Sequence, residues 1–261
     1  MTENDARLAH RLATQVGRML VAVRNDHLDV TEPVEGRRGD AVLADRGDAI
    51  AQQFIAAELA VHRPGDQVLS EEAPDGLERL GADRVWIIDP LDGTRGYSAG
   101  RQQWAVHIAL WSHGDLAAGA IALPDRGVTF ATDDVRPPGP PPEGTPLRVV
   151  VSRSREADLV ARVIDALGAR PVHRGSAGYK VGSILLGEAD VYVHSGGQSE
   201  WDSAAPVAVA RAAGLHASRL DGSALIYNQR DVFLPDLLIC RPGDASTVLR
   251  AVVSAKHERN P

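Results

Sequence analysis

Val85-Trp86-Ile87-Ile88-Asp89-Pro90-Leu91-Asp92-Gly93-Thr94 runs from a block of bulky apolar residues straight into a turn carrying paired carboxylates. The apolar block reads as a buried strand. Pro90 has no N–H to give a sheet ladder, so the strand is predicted to end at Asp89-Pro90, leaving polar groups at a strand terminus. An Asp-x-x-Asp turn in that place offers the Asp89 and Asp92 carboxylates and the Leu91 carbonyl, the hard oxygen donors that Mg2+ takes in near-octahedral geometry. Gly93 lets backbone approach a bound anion closely, and the N–H groups of Gly93 and Thr94 suit phosphoryl oxygens.

Outward from this run the pattern is helical on one side and sheet-like on the other. Leu8, Leu12, Val16, Met19 and Val23 recur at helical spacing. A second helix is predicted to open near Asp48, a favoured N-cap, with Ile50, Phe54, Ala57 and Val61 on one face until Pro64-Gly65 stops it. Val68-Leu69 is a short strand ending at Ser70-Glu71-Glu72. Downstream, Trp104, Val106, Ile108 and Leu110 alternate, and 117–123 and 128–132 are further strands, so the middle of the chain reads as consecutive antiparallel strands. Trp86 and Trp104 fall in these patterns as core residues.

The proline-rich stretch 136–146 is predicted to be extended and exposed. It divides the chain into 1–145, an α+β half, and 146–261, an α/β half; a long surface loop within one domain is the other reading. Past it come a strand at Val149-Val150-Val151, helices over 155–167 and 178–186, a strand at Val191-Tyr192-Val193, a helix from Trp201, a strand at Leu237-Leu238-Ile239-Cys240 and a closing helix over 244–256.

With 44% hydrophobic and 24% charged residues in 261, the chain has the balance of a globular protein. Its single cysteine, Cys240, excludes an intramolecular disulfide and sits in an apolar strand as an inert thiol. No stretch has the length of a membrane span and no export leader is evident, so a cytoplasmic protein without a membrane partner is expected. A formal charge of −7 with no Lys/Arg-rich run argues against nucleic acid as a partner. An acidic protein binds a phosphate if cations stand between its carboxylates and the anion. His107, His113, His173, His194 and His216 lack metal-ligand spacing and read as structural.

Each acidic station, Asp48, Glu71-Glu72, Asp89 with Asp92, and Asp202, falls where an element begins or ends. Converging without a cation, such carboxylates repel one another, so the set makes sense as a cation site. Leu69-Ser70-Glu71-Glu72, the run Trp86 to Thr94, and Glu200-Trp201-Asp202-Ser203-Ala204-Ala205-Pro206 leading to Ala212-Ala213-Gly214 occur in the order and spacing that resembles the inositol monophosphatase superfamily, over most of residues 40–240. The resemblance implies a layered α/β fold of the inositol monophosphatase/fructose-1,6-bisphosphatase type, two lobes meeting at the metal site, and a Mg2+-dependent, lithium-sensitive phosphatase that is commonly a homodimer.

Carried over position by position, the resemblance places Glu71, Asp89 and the Leu91 carbonyl on a first Mg2+ and Asp89, Asp92 and Asp202 on a second, with two or three cations per site. Thr94 then pairs with an upstream Asp to orient the attacking water. That Asp normally ends a Val-Thr-x-x-Asp run; 23 residues before Glu71 stands Asp48. Here the run reads Ala44-Asp45-Arg46-Gly47-Asp48, so Asp45 is a rival, and helix and spacing favour Asp48. Metals lower the pKa of bound water and clamp attacking and leaving oxygens in line, so no protein nucleophile is needed.

The metal motif does not select among the superfamily's esters. Val149-Val150-Val151-Ser152-Arg153-Ser154, Gly175-Ser176-Ala177-Gly178-Tyr179-Lys180 and the basic Arg95 after Thr94 resemble the CysQ-type 3'(2'),5'-bisphosphate nucleotidases, although Gly96-Tyr97 departs from that pattern. The resemblance implies removal of the 3'-phosphate of 3'-phosphoadenosine 5'-phosphate to give AMP, a link to sulfate assimilation. Substrate contacts are then expected from Asp92, Gly93, Thr94, Ser152, Arg153, Gly175, Ser176, Lys180 and Asp202. An inositol-1-phosphate or other sugar or polyol phosphate monoesterase is the alternative, and a metal-dependent binding or regulatory protein the non-enzymatic one.

Overall fold

Leu8, Leu12, Val16 and Leu20 are wholly buried along one face of α1 (Asp5–Val30), as the helical spacing requires. The computed structural model describes residues 3–30, 40–141, 144–152 and 158–257. Helix α2 (Ala41–His62) starts before the predicted point. Asp40 is its N-cap and accepts from the Val42 and Leu43 N–H groups, and Leu43, Gly47, Ala51, Ile55 and Leu59 form its buried stripe. Asp48 therefore lies inside the helix, one residue past the glycine that faces the core.

Strand β1 (Gln67–Ser70) pairs in parallel with β2 (Arg84–Asp92), and β2, β3 (Ala105–Ser112), β4 (Asp115–Leu123) and β5 (Val128–Ala131) form the expected antiparallel meander. Strand β2 does not stop at Pro90; it continues to Asp92. Its pairing with β1 ends at Ile88, and its ladder with β3 is interrupted between Asp89 and Asp92. The missing N–H of Pro90 thus falls in a bulge where neither neighbour needs it. A five-residue helix, α3 (Thr94–Ser98), follows.

The second sheet has the order β7-β6-β8-β10-β9, from β6 (Arg148–Ser152), β7 (Arg170–Arg174), β8 (Val191–Ser199), β9 (His216–Ser218) and β10 (Phe233–Cys240). Strands β7 and β8 run parallel to β6, whereas β10 is antiparallel to β8 and β9. Helices α4 (Asp158–Leu167), α5 (Ala177–Leu185), α6 (Glu200–Ala212) and α7 (Pro242–His257) complete the fold.

Alternation along the strands sorts these elements into layers. Trp86, Ile88, Val106 and Ile108 face α1 and α2, while Val85, Ile87 and Ala109 on the opposite face pack with α5 and α6. Val150, Tyr192, Leu237 and Ile239 cover the other side of those two helices. Val149, Val151, Val191 and Leu238 point outward to α4 and α7. The result is a helix–sheet–helix–sheet–helix sandwich, the layered α/β architecture expected. No described helix is long and apolar enough to cross a membrane. Cys240 is buried, and the loss of hydration raises its thiol to about 12.

Candidate active site

Asp89 points to the α5/α6 side of the first sheet because it follows Val85 and Ile87 in the two-residue period of β2. Parallel pairing extends from β1 into the acidic bend, where the Glu71 N–H donates to the Ile88 carbonyl at 3.2 Å, so the first residue of the bend lies beside Asp89. The Glu71 and Asp89 carboxylates are neighbours, and each feels the other's ionisation. Burial first, then the charges of Asp92, Glu71 and Asp202, push Asp89 well above the usual carboxylate range. Glu71 is raised by desolvation and by Asp202, Glu72 and Asp92.

The turn after Asp89 is tightly organised. Leu91 N–H donates to Asp89 Oδ1 at 3.1 Å, and Thr94 Oγ1 donates to the Leu91 carbonyl at 2.9 Å. Gly93 has φ 94°, the left-handed region that an L side chain rarely adopts, and a Cβ there would press on the backbone of Gln103 and Trp104. Thr94 bonds within its own turn, not to Asp48. Gly47 brings α2 onto this loop: a Cβ at 47 would sit 3.0 Å from Tyr97 and 3.1 Å from Leu91. The half-buried Asp48 is raised to about 7, by desolvation and then by the charges of Glu72, Glu71 and Asp45. Asp45, one helical turn earlier, is exposed.

Asp92 crosses to the second half of the chain. Its Oδ2 accepts from Ser176 Oγ at 2.6 Å and from the Gly178 N–H at 3.1 Å, at the start of α5. Burial opposes its ionisation, but His107, Ser176 and Gly178 win and hold it down at about 2. Asp202 sits in the first turn of α6, where its Oδ2 accepts from the Ser199 N–H at 2.6 Å; burial and the Asp92 charge raise it to about 6. One residue before Trp201, Glu200 is buried and accepts from the Asn228 and Gln229 N–H groups, both at 2.7 Å, anchoring the helix start.

Asp92, Gly93, Thr94, Gly175, Ser176 and Asp202 line one cleft of about 740 Å3. Arg95, Arg101 and Gln103 line it as well, and Gln103 Oε1 accepts from the Gly175 N–H at 3.0 Å. The sequence reading singled out neither Arg101 nor Gln103. Lys180 is buried away from the lining, its ammonium 5.1 Å from the Tyr192 ring centroid, and burial lowers its pKa against the pull of Asp92 and Asp202. Ser152 ends β6 in register with Arg174, outside the cleft lining. Arg153 lies outside the described residues.

His107, read as structural from spacing, sits inside the acidic cluster. It is wholly buried opposite Asp89 in the β2–β3 register, and ligand atoms of Asp89, Asp92 and His107 lie within 4.8 Å of one another. The signal was present in the alternation of β3: His107 falls between Ala105 and Ala109 on the face opposite Val106 and Ile108. It became legible only once β2 and β3 were paired.

The donor set fits a hard divalent cation. Buried carboxylates that disfavour one another's ionisation in the bare protein are relieved by a cation, and oxygen donors suit Mg2+.

Comparison with known proteins gives a consistent result. The model of the Inositol monophosphatase family matches residues 1–256. The chain is 52% identical over 222 residues to the 3'-phosphoadenosine 5'-phosphate phosphatase of Mycobacterium bovis, covering 82% of this chain and 83% of that protein. It is 31% identical over 217 residues to the 3'(2'),5'-bisphosphate nucleotidase CysQ of Escherichia coli, covering 79% of this chain and 88% of that one. Among solved structures, CysQ from Bacteroides thetaiotaomicron superposes with a TM-score of 0.76 at 24% identity, covering 91% of this chain and 97% of the other.

Proposed function

Because this chain belongs to the inositol monophosphatase family, we propose that it is a Mg2+-dependent phosphatase that hydrolyses the 3'-phosphate of 3'-phosphoadenosine 5'-phosphate, giving AMP and phosphate. The observation that carries the choice of ester is the 52% identity, over most of both chains, to a phosphatase named for that substrate. The buried acidic cluster, whose Asp92 lines the cleft, carries the choice of chemistry.

In this reading Glu71, Asp89 and the Leu91 carbonyl would hold one cation, and Asp89, Asp92 and Asp202 would hold a second. The Leu91 oxygen keeps a lone pair beyond the bond from Thr94. When bound, divalent cations supply Lewis acidity toward phosphoryl oxygens and acidify water. The chain supplies the rest. Asp48, raised to about 7 with no cation present, would orient the attacking water and take up its proton. Thr94, fixed against Leu91, shares in orienting that water, and the Gly93 and Thr94 N–H groups meet charge that develops on the phosphoryl oxygens. Ser176 and Gly178 hold one Asp92 oxygen so that the other is free for a ligand. Gly175, Ser176 and the arginines of the cleft face the rest of the nucleotide, whereas Ser152 and Lys180 lie off that lining.

The test is phosphate release with Mg2+ from the adenosine bisphosphate, inositol 1-phosphate and fructose 1,6-bisphosphate under identical conditions. The highest kcat/KM is expected for the bisphosphorylated nucleotide. A clear preference for inositol 1-phosphate refutes the assignment.

A further inference from the structure

His107 presents both ring nitrogens to the acidic site. Its Nε2 lies 3.2 Å from Asp92 Oδ2, and its Nδ1 lies 3.3 Å from the Trp201 carbonyl and 4.0 Å from Asp89 Oδ2. The ring is wholly buried, and Nε2 has no well-aligned hydrogen-bond partner, so the short approach to Asp92 lies off the ideal N–H direction. The fold makes room for it. A Cβ at Gly178 would overlap His107 Nε2 and crowd Ala105, so α5 carries a glycine where the imidazole enters. That glycine's own N–H donates to the same Asp92 oxygen.

We infer that His107 is a positioning residue that locks the Asp92 carboxylate of the first sheet to the start of α6, and so sets the spacing of Asp92 and Asp202 for a shared divalent cation. The inference rests on the proposed assignment of Asp92 and Asp202 as ligands of one cation. Asp92 ends β2 just past the bulge, where the ladder with β3 resumes opposite Ala105, so what remains to be set is the orientation of its carboxylate. Asp202 is fixed by α6. The imidazole is the rigid body between them: one nitrogen meets Asp92 Oδ2 and the other meets the carbonyl of the residue preceding Asp202. With Ser176 Oγ and Gly178 N–H also on Oδ2, this oxygen is surrounded and Oδ1 is left to face the cation. Groups that orient a metal ligand in this way act on affinity and not directly on the reacting atoms.

The experiment is calorimetric titration of the metal-free full chain with Mg2+, together with the Mg2+ dependence of kcat, for wild type, His107→Leu, His107→Asn and His107→Gln. Leucine fills the space without a polar atom. Its Mg2+ Kd is expected to rise about 10–100-fold while kcat at saturating Mg2+ changes by less than about threefold. Glutamine carries its amide nitrogen far enough to reach Asp92, and its Kd is expected to return to within about threefold of wild type. Asparagine, one methylene shorter, reaches the Trp201 side alone and is expected to behave like leucine. A leucine variant that binds Mg2+ as wild type does overturns the inference, as does an equal loss in leucine and glutamine variants. Where His107→Leu fails to fold, His107→Asn against His107→Gln carries the test, since only glutamine reaches Asp92. Weakened Mg2+ binding in the asparagine variant alone supports the inference, and equal binding in the two overturns it. A wild type that takes up no Mg2+ overturns the cation assignment itself, a result distinct from any difference between variants.

Discussion

Replacing Asp89 by Asn is predicted to separate activity from stability. Asp89 is buried, and its carboxylate lies within 4.8 Å of a ligand oxygen of Asp92. Two full charges at 4.8 Å in an effective dielectric of 20 repel by about 3.5 kcal/mol. The bare protein escapes part of this because burial and the neighbouring charges disfavour ionisation of Asp89. Roughly half of that repulsion, about 1–2 kcal/mol, is therefore left to relieve. An Asn amide is neutral and has N–H groups to offer Glu71, so the substitution removes repulsion at nearly the same volume. For a chain of this size about 2–4 °C accompanies each kcal/mol, so metal-free Asp89→Asn is expected to melt roughly 2–8 °C higher than wild type at about pH 8. Under the proposed assignment phosphatase activity moves the other way, because a neutral amide is a poor ligand for a divalent cation. Losing several kcal/mol of charge stabilisation costs at least about 100-fold in kcat/KM. Scanning calorimetry in EDTA and in Mg2+, with phosphate release on the same samples, measures both. A metal-free variant that melts lower than wild type, or that keeps activity within about tenfold, refutes the reasoning.

The remaining predictions concern pH, an orienting hydroxyl and a buried brace. Asp48 and Asp202 have folded values of about 7 and about 6 against the ordinary 3.8, so the stability they contribute is complete below 3.8 and is lost as pH rises through 6 to 7. Metal-free protein is expected to melt lower at about pH 8 than at about pH 5, while the rise in Tm on adding Mg2+ grows over the same range; a flat metal-free profile contradicts this. Ser176→Ala removes the 2.6 Å bond to Asp92 and the cap on Tyr179 N–H. It should cost about 1 kcal/mol in calorimetry and raise the Mg2+ concentration for half-maximal activity about tenfold. Arg79, 2% exposed, bonds Asp75, Asn228 Oδ1 and the Gln229 carbonyl, and so braces the loop that holds Glu200. Arg79→Ala is expected to destabilise by about 3 kcal/mol or more, a fall of roughly 6–12 °C in Tm.

Much of the fold was legible because its signals are local. Strand β3 alternates cleanly, the stretches around Val191 and Leu237 are short apolar blocks, and α1 carries a regular stripe. Strand β7 was missed because Arg170-Pro171-Val172-His173-Arg174 is polar and contains proline; at the edge of its sheet it needs neither a fully apolar face nor every N–H. Pro90 misled in the opposite direction: a bulge let β2 pass through it. The late start assigned to α2 came from taking Asp48 as the cap, when Asp40 serves and Gly47 is a packing notch. At the site, the carboxylates announced themselves by charge and spacing. The role of the Ser176 hydroxyl toward Asp92 and the entry of His107 beside Gly178 depend on contacts across 84 and 71 positions of sequence, which no local pattern encodes.

The central claim, hydrolysis of a 3'-phosphate at the Asp89–Asp92–Asp202 site, is tested most directly by following 3'-phosphoadenosine 5'-phosphate with 31P NMR in the presence of Mg2+ and the full chain. The account predicts that the 3'-phosphate resonance disappears, inorganic phosphate grows in equal amount, the 5'-phosphate signal of AMP remains, and EDTA stops the change. Loss of the 5'-phosphate resonance instead, or no change under conditions where inositol 1-phosphate is hydrolysed, contradicts it.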